Sequence, residues 1–209
     1  QNFEIWKKNS GFDYDTETLS QITPYYLKHE GTGFYINSQY LLTNRHVSHI
    51  DETSFKKCDK ITGYNPETGI FEVYENVQTQ YLPKIEDVDL LKSNQANNYS
   101  TLISNEDVFM GDDVLVLGYP KGKDFSKSPK MSKGIVNSEI GYNNNPNEFI
   151  SDAVSYGGSS GSPVYSTSGN LVGILWGGDE QYVLGKEGLI GITADPNISF
   201  VLKSNSFLK

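Results

Sequence analysis

The sequence predicts an all-β protein closed by one helix at its C-terminal end. Its 209 residues are rich in Gly (20) and Tyr (14), with Ser, Thr and Asn also plentiful, a composition that suits short strands joined by many turns. The apolar residues come in short runs bounded by Gly, Asn, Asp, Ser or Pro, the pattern of strands. Stretches with helical apolar spacing are scarce. The length is enough for one large β domain or two small barrels.

Residues 1–24 carry Trp6 and Phe12 among polar residues and show little periodicity, which reads as an arm on the domain surface. Gly31–Ile36, a turn at Asn37–Gln39, and Tyr40–Thr43 then read as a hairpin. His46 follows at the strand end, where a turn or short helix begins. Further strands are expected at Gly69–Tyr74, Val77–Leu82 and Asp87–Leu91. The polar segment Asn94–Ser104 separates two halves, residues 25–104 and 105–209. In the second half, strands are expected at Val114–Gly118, Met131–Val136, Val164–Tyr165, Leu171–Trp176 and Gly188–Thr193, with a loop tip at Asn143–Pro146. Asp195 and Pro196 fit the N-cap and first position of a helix with Ile198, Val201, Leu202 and Phe207 on its apolar side.

The net charge of −9 argues against a nucleic-acid binder. Cys58 is the only cysteine, which excludes an intrachain disulfide. No apolar run approaches the ~18 residues of a membrane span, and residues 1–24 are polar rather than an apolar signal. Gln1 at the start suggests a trimmed chain, so a secreted protein with its signal removed is the expectation. Metal ligation is not supported: one cysteine, three histidines in the N-terminal part, and no HExxH or EF-hand spacing. No cofactor is expected.

The stretch Tyr156–Pro163 reads Tyr-Gly-Gly-Ser-Ser-Gly-Ser-Pro. A Gly/Ser cluster often marks a plain loop. Glycines beside a serine also let backbone N–H groups converge on one point, as an oxyanion hole requires. A serine there needs a base to become a nucleophile. The histidines are His29, His46 and His49. His46 is the one fixed by a preceding apolar strand, whereas His29 reads as a loop residue and His49 as a solvated one. Asp87 opens the apolar segment Val88–Leu91 and is placed to orient an imidazole; Asp89, two residues on and on the same face, is its rival. The order His46, Asp87, Ser160 is that of the chymotrypsin-like double barrel. The subtilisin order starts with aspartate and the α/β-hydrolase order with serine. Nor is there a G-x-S-x-G elbow, since Ser162 takes the place of its last glycine.

Thr43–Val47, Asp87–Leu91, Gly118–Pro120 and Gly158–Val164 together resemble the markers of trypsin-like serine peptidases. The subgroup they most resemble is the bacterial glutamyl endopeptidases with the related exfoliative toxins. The likeness runs from about Gly31 to the terminal helix. It implies two six-stranded antiparallel β-barrels with the site between them, His46 and Asp87 from the first and Ser160 from the second. It also implies the roles: Ser160 as nucleophile, His46 as general base and acid, Asp87 as its orienting carboxylate, and the N–H groups of Gly158 and Ser160 as oxyanion donors. The expected partner is a peptide or protein substrate, and the expected state a monomer.

Three positions depart from that pattern. Asp89 stands where the family usually has a small residue. Ser159 replaces the aspartate that pairs with a new N-terminus in many animal enzymes, so activation by that salt bridge is not expected. Leu171–Gly178 resembles the substrate-pairing strand beside the primary pocket, which brings Leu175, Trp176, Gly177 and Gly178 to the substrate. Leu175 stands where glutamate-specific enzymes carry a histidine, and no histidine follows His49. Ser155 matches a pocket hydroxyl too weak by itself to hold a carboxylate. A glutamate side chain desolvated without a cation is costly, so an uncharged or apolar residue is expected before the scissile bond. Lys121, Lys123, Lys127, Lys130 and Lys133 read as a solvated hairpin, or alternatively as a dock for an acidic substrate segment. The rival functions are a catalytically silent protease-like binding domain, a glutamate-specific endopeptidase, and a periplasmic stress protease, which shares the Leu-Thr-Asn-x-His type of motif.

Overall fold

The hairpin read at Gly31–Thr43 shows how local chemistry builds this chain. In the computed structural model, β1 (Phe34–Tyr35) pairs antiparallel with β2 (Tyr40–Thr43), Phe34 opposite Leu42. Asn37 closes the turn between them, its side-chain oxygen accepting from the Gln39 and Tyr40 N–H groups at 3.0 Å each. The structure describes residues 31–48, 61–65, 69–76, 87–94, 98, 100–103, 106–120, 128–185 and 188–208. The arm at 1–24, His29, His49, Cys58, the strand expected at Val77–Leu82, and Lys121, Lys123 and Lys127 lie outside these residues.

After β2 comes a one-turn helix α1 (Arg45–Ser48), then β3 (Ile61–Asn65), β4 (Ile70–Asn76) and β5 (Asp89–Ser93). These five strands form one sheet in the order β1-β2-β5-β4-β3, the described part of the first half. The second half is a closed barrel. Its strands are β6 (Asp113–Gly118), β7 (Lys130–Ser138), β8 (Glu148–Ser151), β9 (Pro163–Ser166), β10 (Leu171–Gly185) and β11 (Gly188–Lys203). They close in the order β10-β11-β8-β7-β6-β9, and every pairing is antiparallel. The all-β architecture of the chymotrypsin type is therefore present: one six-stranded barrel and a five-stranded companion sheet.

Alternation explains the barrel wall. In β6, Val114 and Val116 are buried while Leu117 faces out. Val114, Val116, Val136, Phe149, Val164, Val172, Leu175 and Val201 fill the barrel interior. A second cluster joins the two sheets: Phe34, Leu42 and Leu90 from the first, with Val88 just before β5, pack with Leu171, Ile174 and Leu202 from the barrel and with Phe207 after it. The connecting segment is tied to both, through Thr101 Oγ1 to the Tyr35 carbonyl (2.8 Å) and the Leu171 N–H to the Leu102 carbonyl (2.8 Å). In the first sheet the buried Glu72 accepts from the Tyr35 hydroxyl (2.7 Å) and the Tyr74 hydroxyl (3.2 Å). Desolvation by burial raises both tyrosine pKa values, Tyr74 well above the usual phenol range, so both stay donors.

Three elements differ from the sequence reading. The helix expected from Asp195 is strand β11 as far as Lys203; only Ser204–Phe207 turns into a helix, α2. Val201 and Leu202 are buried on opposite faces of β11, Val201 in the barrel interior and Leu202 in the inter-sheet cluster, rather than along a helical stripe. Pro196 lies within the register shift between the Gly178–Ser199 and Asp179–Asp195 pairs, where a missing N–H disrupts no ladder bond. Strands β3 and β8 were not expected. Gly63 interrupts β3 as a sequence signal, yet its bare backbone is needed: a Cβ there would lie 2.7 Å from the Tyr74 ring. Strand β8 is short and follows the Asn-rich turn at Tyr142–Asn144, where Asn143 and Asn144 adopt positive φ.

Because the inter-sheet cluster is shared, Leu171→Ala is expected to cost about 2–5 kcal/mol. Urea unfolding followed by two probes should show the midpoint fall in a single transition, since one cluster holds both halves.

Candidate active site

Helix α1 is too short to be stable alone; Asp87 and Asp89 hold it. Asn44 donates its side-chain N–H to the Asp87 carbonyl (2.8 Å), and the Arg45 N–H reaches the same carbonyl (3.3 Å). The Asp87 carboxylate then uses both oxygens on His46. Oδ1 accepts the His46 backbone N–H at 2.8 Å, and Oδ2 is hydrogen-bonded to the ring Nδ1. Backbone and side chain of His46 are thus fixed by one carboxylate, which places the Nδ1 proton against Asp87 and leaves Nε2 as the basic nitrogen.

Asp89 does something else. It is buried and turned to the other side of α1, where it faces Arg45 Nε (3.6 Å) and accepts from the Ser48 hydroxyl. The expectation that Asp87 and Asp89 share a face fails because β5 begins at Asp89, so Asp87 belongs to the bend before it. One aspartate grips the histidine and the other anchors the helix that carries it.

Ser160 lies in the turn between β8 and β9. Gly158 (φ 91°) and Gly161 (φ 86°) both occupy the left-handed region that side chains resist. The turn closes on itself at Ser159, whose N–H donates to the Tyr156 carbonyl (2.9 Å) while its hydroxyl accepts from the Tyr156 N–H (3.3 Å). The Ser160 hydroxyl makes a long contact to the Trp176 carbonyl (3.5 Å), at the limit of a hydrogen bond.

The first sheet reaches this turn through Thr32. Its N–H donates to the Ser160 carbonyl (2.7 Å), its hydroxyl donates to the Gly158 carbonyl (2.9 Å), and its own carbonyl accepts from the Thr43 hydroxyl (2.7 Å). Close approach is what the glycines permit. A Cβ on Gly161 would lie 2.0 Å from the Thr32 carbonyl oxygen. On Gly31 it would meet the Val47 side chain at 2.5 Å and the Ser160 carbonyl at 3.0 Å. Gly118 of the Gly118–Pro120 motif is explained likewise, because the Ser162 hydroxyl (1.9 Å) and Thr32 Oγ1 (3.1 Å) occupy its side-chain space.

These observations put His46, Asp87 and Ser160 on elements of two sheets joined by Thr32. A family model for the trypsin-like peptidase domain matches residues 31–174. The chain belongs to the trypsin-like peptidase domain family. Solved structures share this peptidase fold. They include the inactive, mutant form of Rv3671c from M. tuberculosis H37Rv (TM-score 0.58, 22% identity, 83% of this chain and 75% of that one). The HtrA-type protease AlgW, solved with a decapeptide, matches with a TM-score of 0.59 and 22% identity over 83% of this chain and 47% of that one. A serine endoprotease from Yersinia pestis matches at 0.58 and 23% over 83% and 53%. The chain spans about half the length of the last two.

Within the peptidase domain, the segment expected to meet substrate has a register shift in β10 between Leu175 and Gly177. Trp176 falls in that bulge, a device that re-aims a side chain, and stacks on Phe200 with ring centroids 5.5 Å apart. Tyr142 packs edge-on to the other end of the run, 5.6 Å from Phe200. Gly177 and Gly178 pair with Phe200 and Ser199. Leu175 is 1% exposed and belongs to the barrel interior. Ser155 is buried against Ser199, whose hydroxyl lies 2.8 Å from that of Ser155 and 2.7 Å from the Ala153 carbonyl. Ser199 is the donor toward both acceptors, and with one proton it serves one of them at a time. Thr32, Ser199 and Phe200 escaped the sequence reading; the last two lie in the segment mistaken for a helix. Among the described residues there is no group of three or more His, Cys, Asp or Glu able to hold a metal, and no helix long and apolar enough to cross a membrane.

Gly161→Ala combines a left-handed φ with a backbone overlap, so it should destabilise by more than the ~1–2 kcal/mol of the φ penalty alone. Chemical denaturation compared with Gly169→Ala, where φ is +85° but the space is open, separates the overlap from the φ cost.

Proposed function

We propose that this domain is a serine endopeptidase working through Ser160, His46 and Asp87. The observation that carries the reading is the double grip of Asp87 on His46, which prepares an imidazole with a basic Nε2. In the proposed reaction Ser160 Oγ attacks the scissile carbonyl carbon while His46 Nε2 takes the hydroxyl proton. The carbonyl π electrons move to oxygen, and the N–H groups of Gly158 and Ser160 receive that charge. Losing one such donor costs roughly 3 kcal/mol. Collapse breaks the C–N bond, His46 protonates the leaving amine, and an acyl-enzyme remains. Water, deprotonated by the same nitrogen, then releases the acid and regenerates Ser160. Asp87 stabilises the imidazolium in both halves.

For substrate choice we favour an uncharged or apolar residue before the scissile bond. The support is chemical: Leu175 offers no cation, and the Ser155 hydroxyl is neutral and buried, too weak by itself to hold a carboxylate. The four motifs still make the bacterial, secreted glutamyl endopeptidase and exfoliative toxin subgroup the family branch we favour, with a changed pocket. Residues 25–104 and 105–209 are proposed as the two barrel units, active as a monomer.

A diverse peptide library incubated with wild type and Ser160→Ala tests the reaction and the pocket together. Cleavage by wild type alone is expected, with apolar or neutral residues before the cut; a profile dominated by glutamate would sink the pocket assignment. Fluorophosphonate labelling lost in Ser160→Ala, against equal labelling or none in both, separates an enzyme from a silent binding domain. Asp87→Asn should lower kcat by ~10⁴-fold with little change in KM, because the imidazole loses its tautomer and partner.

A further inference from the structure

We infer that Thr32 is a positioning residue that shapes the oxyanion-binding turn from the opposite sheet. The inference rests on the peptidase reading and goes beyond it. Thr32 is 4% exposed, and all its polar groups are spent on this junction. Its Oγ1 accepts the Tyr119 N–H at 3.0 Å, which directs the hydroxyl proton toward the Gly158 carbonyl at 2.9 Å. Its N–H holds the Ser160 carbonyl at 2.7 Å. Gly158 and Ser160 are the two proposed oxyanion donors, and Thr32 grips the carbonyl of each.

A glycine at φ 91° has a broad range of backbone states, so the direction of the Gly158 N–H depends on what restrains the residue. The Ser159 N–H to the Tyr156 carbonyl and the Thr32 hydroxyl to the Gly158 carbonyl fix the two ends of the one peptide that joins Gly158 to Ser159. With that peptide fixed, the direction of the Gly158 N–H is set through the residue's own φ and ψ. The backbone bond to Ser160 exists whatever residue stands at 32, whereas the bond to Gly158 needs a side-chain hydroxyl. The hydroxyl at position 32 therefore serves the hole through Gly158 and the end of β6 through the Tyr119 N–H, and the backbone contact serves the junction as a whole.

The test compares wild type with Thr32→Val, which keeps the shape and removes the hydroxyl, and Thr32→Ser, which keeps the hydroxyl. Steady-state cleavage of a peptide amide is measured beside affinity for a peptide boronate, which forms a tetrahedral adduct on serine. In Thr32→Val, kcat should fall about 10- to 100-fold, less than the ~10²–10³ of a removed donor, with KM nearly unchanged. Boronate affinity should fall in parallel with kcat/KM, and Thr32→Ser should restore both. If Thr32→Val fails to fold, Thr32→Ser against Thr32→Ala gives the same contrast of hydroxyl kept and lost. Equal kcat in Thr32→Val and wild type, a change confined to KM, or equal impairment with and without the hydroxyl would overturn the inference. A wild type that neither cleaves nor is labelled at Ser160 would instead overturn the peptidase reading on which it stands.

Discussion

A single backbone hydrogen bond, from the Thr32 N–H to the Ser160 carbonyl at 2.7 Å, joins the nucleophile turn of one sheet to the strand entry of the other. A peptidase of this family needs its base and its nucleophile from different halves of the chain, so their relative position depends on the junction. Apolar packing of Leu42, Val88 and Leu90 against Leu171, Ile174 and Leu202 supplies the attraction. Such packing is non-directional, and a slip of one ångström would misplace a reacting atom. The directional contacts at Thr32, with Thr43 behind it, set the register that the packing leaves open.

The same demand explains where side chains are absent. Gly31, Gly118 and Gly161 each sit where a Cβ would strike Val47, Ser162 or the Thr32 carbonyl. These glycines are required by neighbours distant in sequence rather than by turn geometry alone; Gly118 and Gly31 have no positive φ in the structure. The motifs they belong to thus record a junction between two sheets, and the chemistry is carried by the residues beside them.

The candidate site was legible in the sequence wherever a residue stands out by its local position. His46 at the end of an apolar strand, Asp87 at the mouth of another and Ser160 between glycines all announce themselves by their neighbours. Asp87, preferred over its rival Asp89 for opening the apolar segment, is the one that contacts His46; what separates the two is that β5 starts at Asp89. Residues acting across the fold left no such mark. Thr32 reads as an ordinary strand residue, and its reach to Gly158 spans 126 positions. The C-terminal segment misled because Ser199–Leu202 is buried on both faces of its strand and so gives no period-2 alternation, and a proline after an aspartate imitates a helix start.

Asp89 and Ser159 are the departures that bear most on how the site holds its shape. Burying a carboxylate is costly unless it is paired, and Asp89 is paired from both ends of α1, by Arg45 and by Ser48. A small residue in its place would leave Arg45 without that partner and the one-turn helix held by Asp87 alone, with His46 bearing the consequence. Ser159 makes the complementary exchange. A charged aspartate at that position would need a cation to neutralise it inside the domain; a serine, 5% exposed, needs only the Tyr156 peptide three residues away. The turn carrying Ser160 is therefore stabilised by contacts within itself and with Thr32.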